Sequence, residues 1–126
     1  MSTITITNIK ATGETASRSV SGVAAAWVQY DMRSSSHIDE SVNMSSLTDN
    51  GTGEATLSFS SNFSSADYGV AATTGRLGGS VNCSIRVFDN SVLPTVSAIK
   101  MYTYGSSSNN ETDVRTNGVT IHGDLA

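Results

Sequence analysis

The chain has 126 residues, of which 37% are hydrophobic and 14% are charged, and its formal net charge is −4. This length and apolar content predict one compact domain with a single core. An acidic chain with seven Lys and Arg residues lacks the basic patch of a nucleic-acid-binding protein, and no stretch approaches the ~18 apolar residues of a membrane span. We therefore expect no nucleic acid partner and no membrane insertion.

Hydroxyl groups supply much of the polarity, because Ser and Thr make up about three residues in ten. A surface with few charges repels other proteins weakly, which favours permanent assembly or polar ligand contacts. The N-terminus lacks the charged and apolar regions of a secretory signal, so we expect synthesis in a cytoplasm. Cys83 is the sole cysteine, and the alternation of residues around it predicts that it is a small, buried strand residue. His37 and His122 show no metal-ligand spacing, and we expect neither metal nor cofactor.

Short segments of alternating or β-branched residues recur along the chain with turn-forming residues between them. In chain order, the predicted strands are residues 3–7, 23–30, the two arms of a hairpin within 41–59, 68–73, 80–88, 95–104 and 118–122. The predicted loops between them are residues 10–19, 32–37, 75–79 and 105–110. About eight strands without a helix are typical of an all-β fold, here an antiparallel β-sandwich that is jelly-roll-like.

The first predicted strand stands apart from the others, because the loop that follows it has few apolar residues. We divide the chain into an N-terminal strand and arm, residues 1–21, and a β-sandwich domain, residues 22–126. Ile4 and Ile6 alternate with threonines, a pattern that suits the addition of a strand to a partner's sheet edge. The arm is therefore predicted to anchor the protein, with Ile4 and Ile6 as the anchoring side chains.

The hairpin within residues 41–59 is the strongest architectural signal in the chain. The cluster Asp49-Asn50-Gly51-Thr52-Gly53 lies between two alternating stretches and predicts a turn with positive φ at Gly or Asn. Asp49 and Asn50 beside two glycines resemble part of a calcium loop, but the spaced carboxylates and the terminal Glu of an EF-hand are absent. A turn stabilised by Asx hydrogen bonds is the preferred interpretation.

Three segments in the middle of the chain together form a recognisable motif. They read Ala26-Trp27-Val28-Gln29-Tyr30, then T-D-N-G-T-G at residues 48–53 within 42–59, then Ala66-Asp67-Tyr68-Gly69-Val70. Over residues 24–70 this combination resembles a module found in tail-fibre and other virion appendage proteins of tailed bacteriophages. The resemblance implies a structural place on the virion, frequently as a homotrimer, and it brings no catalytic residues.

Candidate ligand-contacting residues lie near the predicted strand 95–104. Tyr102 and Tyr104 share a face in its alternation, and Asn109 and Asn110 lie in the loop that follows. A tyrosine ring stacks on a sugar while amides and hydroxyls bond its oxygens, so these residues predict contact with a glycan or a partner protein. Trp27 lies in an apolar strand, which favours a core position over ligand stacking.

The composition and the resemblance favour a non-enzymatic bacteriophage virion protein. The sequence lacks the Gly-x-Ser-x-Gly elbow that would suggest a hydrolase. The preferred interpretation is a homotrimeric tail fibre, spike or head-fibre module that is exposed for host-surface attachment. One alternative is a capsid decoration protein that cements shell subunits, and another is a carbohydrate-binding module. The expected partners are fibre, tail or capsid proteins, further copies of the chain and a host-surface glycan, and the expected location is the virion.

Overall fold

The chain folds into antiparallel strands, in keeping with the alternation of its side chains. The structure is a computed structural model that describes residues 2–9, 12, 18–19, 23–75, 83–86, 92–105 and 110–126. The strands within these residues are β1 (Asn8–Ile9), β2 (Arg18–Ser19), β3 (Ala26–Asp31), β4 (His37–Val42), β5 (Met44–Gly51), β6 (Glu54–Phe59), β7 (Gly69–Thr74), β8 (Cys83–Arg86), β9 (Ala98–Gly105) and β10 (Asn117–His122).

Two antiparallel sheets make up most of the molecule. The first sheet has the strand order β4-β3-β10-β7, the second has the order β5-β6-β9-β8, and β1 pairs with β2 in a short separate ladder. The described residues contain strands and no helix, so the all-β prediction is confirmed. No helix able to cross a membrane occurs in this part of the chain.

The inner faces of the two sheets share one hydrophobic core, which makes the architecture sandwich-like. Because side chains alternate along a strand, every second residue of each central strand points inward. The buried side chains of the first sheet are Ala26, Val28, Tyr30, Val119 and Ile121, and those of the second are Ala55, Leu57, Phe59, Ile99 and Met101. Full burial of one Leu or Ile side chain stabilises the fold by about 1.5–3 kcal/mol, so the core supplies most of the favourable free energy.

The hairpin prediction is confirmed at its turn and wrong at its start. Strands β5 and β6 pair antiparallel, and Gly51 and Gly53 adopt φ values of 140° and 73°. Ser41 and Val42, predicted in the first arm, belong instead to β4 and pair with β3 of the other sheet. Between β4 and β5, Asn43 has a φ of 58°, a left-handed conformation that asparagine tolerates better than most residues. This residue takes the chain from one sheet to the other.

The predicted strand at residues 3–7 is wrong. Residues 2–7 lie outside the strands, and pairing begins only at Asn8–Ile9, whose partner Arg18–Ser19 lies within the predicted loop 10–19. β-branched residues favour an extended backbone, but a strand also needs a partner's hydrogen bonds, and no described strand supplies them to residues 2–7.

The later strands keep their predicted type with shifted bounds. Strand β9 begins at Ala98 because the Thr95 hydroxyl accepts hydrogen bonds from the Ala98 and Ser97 amides, at 3.0 and 3.3 Å, which turns the chain before it. Cys83 lies in β8 as predicted, whereas the burial of its side chain lies outside the described residues. Residues 76–79 of one predicted turn and 106–109 of one predicted loop also lie outside them.

Three aromatic rings close one end of the core. Phe59, Phe63 and Tyr68 have centroids 4.7–5.8 Å apart, and two of the three pairs meet edge to face. The Tyr68 hydroxyl donates toward the carbonyls of Thr95 and Ala98, at 3.1 and 3.3 Å. Burial raises the pKa of Tyr68 to about 12, so this phenol stays a hydrogen-bond donor at neutral pH.

Candidate functional site

Trp27 lies on the outer face of the first sheet, so the prediction of a core position is wrong. Along β3 the buried Ala26, Val28 and Tyr30 alternate with the half-buried Trp27 and the exposed Gln29. A strand period of two sends these two sets to opposite faces. The apolar run 23–30 concealed this alternation, because both phases of the strand carry residues that could be buried.

The pairing register surrounds Trp27 with small residues. On one side it lies opposite Val42 of β4, and on the other side opposite Thr120 of β10, which in turn lies opposite Ala71 of β7. Since the cross-strand neighbours at Thr120 and Ala71 are short, the indole is the largest side chain of its row. The Trp27 ring therefore projects further from the sheet than the side chains next to it on β10 and β7.

The next row of the sheet adds polar groups beside the ring. Gln29 lies opposite Gly118 of β10, and Gly118 lies opposite Thr73 of β7. We call these outward-facing residues the tryptophan face: Trp27, Gln29, Ala71, Thr73, Gly118 and Thr120.

The tryptophan face is concave. It lines an open hollow of about 300 Å³, at the small end of the roughly 300–1,000 Å³ that ligand sites occupy. Gly118 keeps the hollow open, since a Cβ atom there would already lie 3.1 Å from the Thr73 hydroxyl oxygen. All six residues of the face are uncharged, and the exposed Glu40 lies at the rim, opposite Gln29. His122 lies two residues beyond Thr120 on the same outer face of β10. The indole of this surface can stack on a flat ligand, and its amide and hydroxyl groups can hydrogen-bond.

The start of the arm, residues 2–7, is the second exposed feature. Ile4 is 84% exposed and Ile6 is 51% exposed. Both belong to residues 2–7, which make no ladder with a described strand. An exposed segment outside any described ladder presents backbone donors and acceptors together with two apolar side chains, which is what strand addition to another sheet uses. The anchoring role of Ile4 and Ile6 stays a prediction.

Tyr102 and Tyr104 occupy the outer face of the second sheet, two residues apart on β9. Tyr102 is 3% exposed, and the Lys100 ammonium lies 4.9 Å from its ring centroid. The same ammonium is 2.6 Å from the Glu54 carboxylate, and Glu54, followed by Tyr102, raises the pKa of Lys100. Tyr102 therefore offers little ring surface for stacking on a sugar.

The remaining predicted contact residues lie near the end of β9. Tyr104 is half-buried, and its backbone forms an isolated antiparallel β-bridge with that of Glu111. Asn110 is exposed. The Asn110 carbonyl accepts a hydrogen bond from the Gly105 amide at 2.9 Å, which brings it beside the strand end. Asn109 lies outside the described residues. A ligand role for Tyr102, Tyr104, Asn109 and Asn110 stays a prediction.

The hairpin turn has the Asx geometry that was expected. One oxygen of Asp49 accepts a hydrogen bond from the Gly51 amide at 3.0 Å, and the other accepts one from the Ser36 hydroxyl at 2.6 Å. The Ser36 bond and then the Gly51 bond lower the pKa of Asp49, because both stabilise its charged form. The carboxylate is thus engaged in holding the turn and the loop before β4 together.

His37 is held by acceptors on both sides of its ring. Nδ1 donates to the Ser35 carbonyl at 2.5 Å, and Nε2 lies 3.2 Å from the Asp39 carboxylate. The Ser35 bond is the largest cause of a raised pKa of His37, to which Asp39 also contributes. Within the described ranges, no three His, Cys, Asp or Glu side chains come together as a group that could hold a metal ion.

Comparisons with protein-family models, with curated proteins and with solved structures find no match to this chain.

Proposed function

We propose that this chain is a structural, non-enzymatic protein of a tailed-bacteriophage virion, made in the cytoplasm of the bacterial host. In this proposal it is a homotrimeric tail-fibre, spike or head-fibre module whose outer surface is exposed to the host. The eight strands of its two four-stranded sheets are the β-sandwich of this module. Its partners are other virion proteins and copies of itself.

The observation that carries the proposal is the contrast between a domain whose two sheets share one core and an exposed arm that carries two isoleucines. Residues 2–7 expose Ile4 and Ile6 ahead of a domain whose two sheets already share a core. Apolar side chains on an extended segment lose unfavourable contact with water when a partner covers them. A module with such an arm is suited to permanent attachment to a larger assembly.

The motif segments support the proposal through the structural positions they occupy. Residues 26–30 fall in β3, a strand inside the first sheet, and residues 48–53 form the end of β5 and the turn before β6. Tyr68, in the third segment, packs in the aromatic end of the core. The resemblance thus lies in residues that build a fold, as expected for a virion module without catalysis.

Antibody labelling of purified particles tests this proposal. Gold-labelled antibody against the chain is expected to decorate the tail or head fibres of the phage that encodes it, in electron micrographs. Labelling spread evenly over the capsid shell would support the decoration protein instead. Particles without label, alongside the chain in the soluble fraction of infected cells, would refute a place on the virion.

A further inference from the structure

We propose that the tryptophan face is a binding site for a neutral saccharide, with the Trp27 indole as the stacking platform. The inference rests on the proposed attachment role, because it names the chemistry of what the exposed module would recognise. It places recognition on the first sheet, away from Tyr102 and Tyr104 on the second.

The apolar part of the site is the indole and its low surroundings. Trp27 is half-buried, so one part of the ring is supported by the sheet and another part meets solvent. Its row neighbour Thr120 and the adjacent Ala71 are short, and Gly118 carries no side chain. A pyranose ring presents a face of C–H groups, which can lie against the indole without striking a neighbouring side chain.

The polar part of the site is matched to hydroxyl groups. Gln29, Thr73 and Thr120 border the ring, and none of their side chains hydrogen-bonds within the described part of the chain. An amide and two hydroxyls both donate and accept, as the hydroxyls of a sugar do. Hydrogen-bonding capacity beside an aromatic platform is therefore available for a ligand.

The charge of the face selects a neutral ligand. None of its six residues is charged, and the acidic Glu40, exposed beside Gln29, would repel a carboxylated or phosphorylated sugar. His122 lies at the other end of the face, two residues beyond Thr120 on β10. The hollow of about 300 Å³ suits one or two sugar rings.

Trp27 is the sole tryptophan of the chain, so emission excited selectively at the indole comes from this site and not from the four tyrosines. We expect methyl glycosides of glucose, galactose or N-acetylglucosamine to change its emission, with a Kd on the order of millimolar for a single ring, whereas free sialic acid leaves it unchanged. Gly118→Val retains the fluorophore and fills the hollow, and it should weaken binding at least about tenfold.

Two further variants separate stacking from other effects. Trp27→Ala, followed by calorimetry, should lose saccharide binding. If loss of the indole prevents folding, Gln29→Ala takes its place, and this variant should weaken binding. Thr48→Ala, which removes an exposed outer-face side chain on the second sheet, should leave binding intact.

The inference is overturned if no neutral glycoside changes Trp27 emission, or if Gly118→Val binds as tightly as the original protein. A change of oligomeric state in folded Trp27→Ala, seen by gel filtration with light scattering, would also overturn it, since the face would then be a contact between copies. These measurements use the purified protein, so their failure leaves the antibody labelling of particles as a separate test of the virion role.

Discussion

Two buried tyrosines illustrate how differently one residue type can be used in this core. The Tyr68 hydroxyl donates toward the carbonyls of Thr95 and Ala98. The Tyr30 hydroxyl is fully buried and has no hydrogen-bond partner among the described residues, and burial raises the pKa of Tyr30. A buried hydroxyl without a partner costs free energy, whereas a paired one contributes to stability.

The same substitution at both positions tests this contrast. Tyr68→Phe should lower the free energy of unfolding by about 0.5–1.5 kcal/mol, because it removes a satisfied hydrogen bond. Tyr30→Phe should leave it unchanged or raise it by up to about 1–2 kcal/mol, because it removes an unpaired polar group. Urea unfolding followed by circular dichroism measures both. A loss at Tyr30 equal to that at Tyr68 would contradict the assignment of Tyr30 as unpaired.

Single residues were predictable from the sequence where their partners are local. The Asx turn at Asp49 follows from the Asp-Asn-Gly cluster itself. In contrast, Asn117 is fully buried, donates to the Val114 carbonyl at 2.8 Å and accepts from the Thr74 hydroxyl, 43 residues away, at 2.8 Å. No sequence pattern signals such a partner, because the sheet pairing that brings the two strands together is not local.

The β5–β6 hairpin is joined to β9 at its turn through Gly53. Its amide donates to the Asp113 carboxylate at 2.7 Å, and its carbonyl accepts from the Thr103 amide at 2.8 Å. A Cβ atom at Gly53 would lie 2.5 Å from the Thr112 nitrogen and 2.6 Å from the Thr103 oxygen. These are backbone atoms, so a side chain at Gly53 would push the hairpin turn away from the end of β9.

Alanine substitution of the two turn glycines tests this contact. Gly51→Ala meets no atom within 4 Å, and it should cost about 1–2 kcal/mol because its φ of 140° is strained for an L residue. Gly53→Ala combines a positive φ with the backbone clash and should cost about 3 kcal/mol or more. Denaturant unfolding of the two variants gives the comparison. Equal losses would show that the turn is not packed against β9 as described.

At the level of elements, the sequence predicted most of the later strands but not β1, β2 or β4, and it predicted strand partners poorly. The hairpin turn follows from adjacent residues, and β3, β7, β9 and β10 were each recognised from alternation or β-branched composition. The passage between sheets at Asn43 was missed because residues 41–59 alternate on both sides of it. The strand expected at residues 3–7 was also wrong, since strand formation depends on a partner that local sequence does not reveal.

Across the whole molecule, the inner faces of the sheets are used for stability and two outer features are left for contacts. The tryptophan face is an uncharged hollow on the first sheet, and the arm is an exposed apolar segment ahead of the domain. The sequence indicated the arm through Ile4 and Ile6. It did not indicate the tryptophan face, because the rows across the first sheet are set by pairing between residues far apart in the chain.

Attachment through the arm is the central claim at this scale. A chain without residues 1–7 retains the β1–β2 ladder and both sheets, so it should keep its circular dichroism spectrum and urea midpoint. As a matched pair in the intact chain, Ile4→Ser with Ile6→Ser removes the apolar side chains, and Thr3→Ser with Thr5→Ser keeps them.

The most direct measurement is the amount of this chain relative to the main capsid protein in purified particles, made with each variant and determined by quantitative mass spectrometry. We predict near-complete loss from particles for the shortened chain, a strong reduction for the isoleucine pair and a normal amount for the threonine pair. Full occupancy by a folded chain that lacks residues 1–7 would contradict the account.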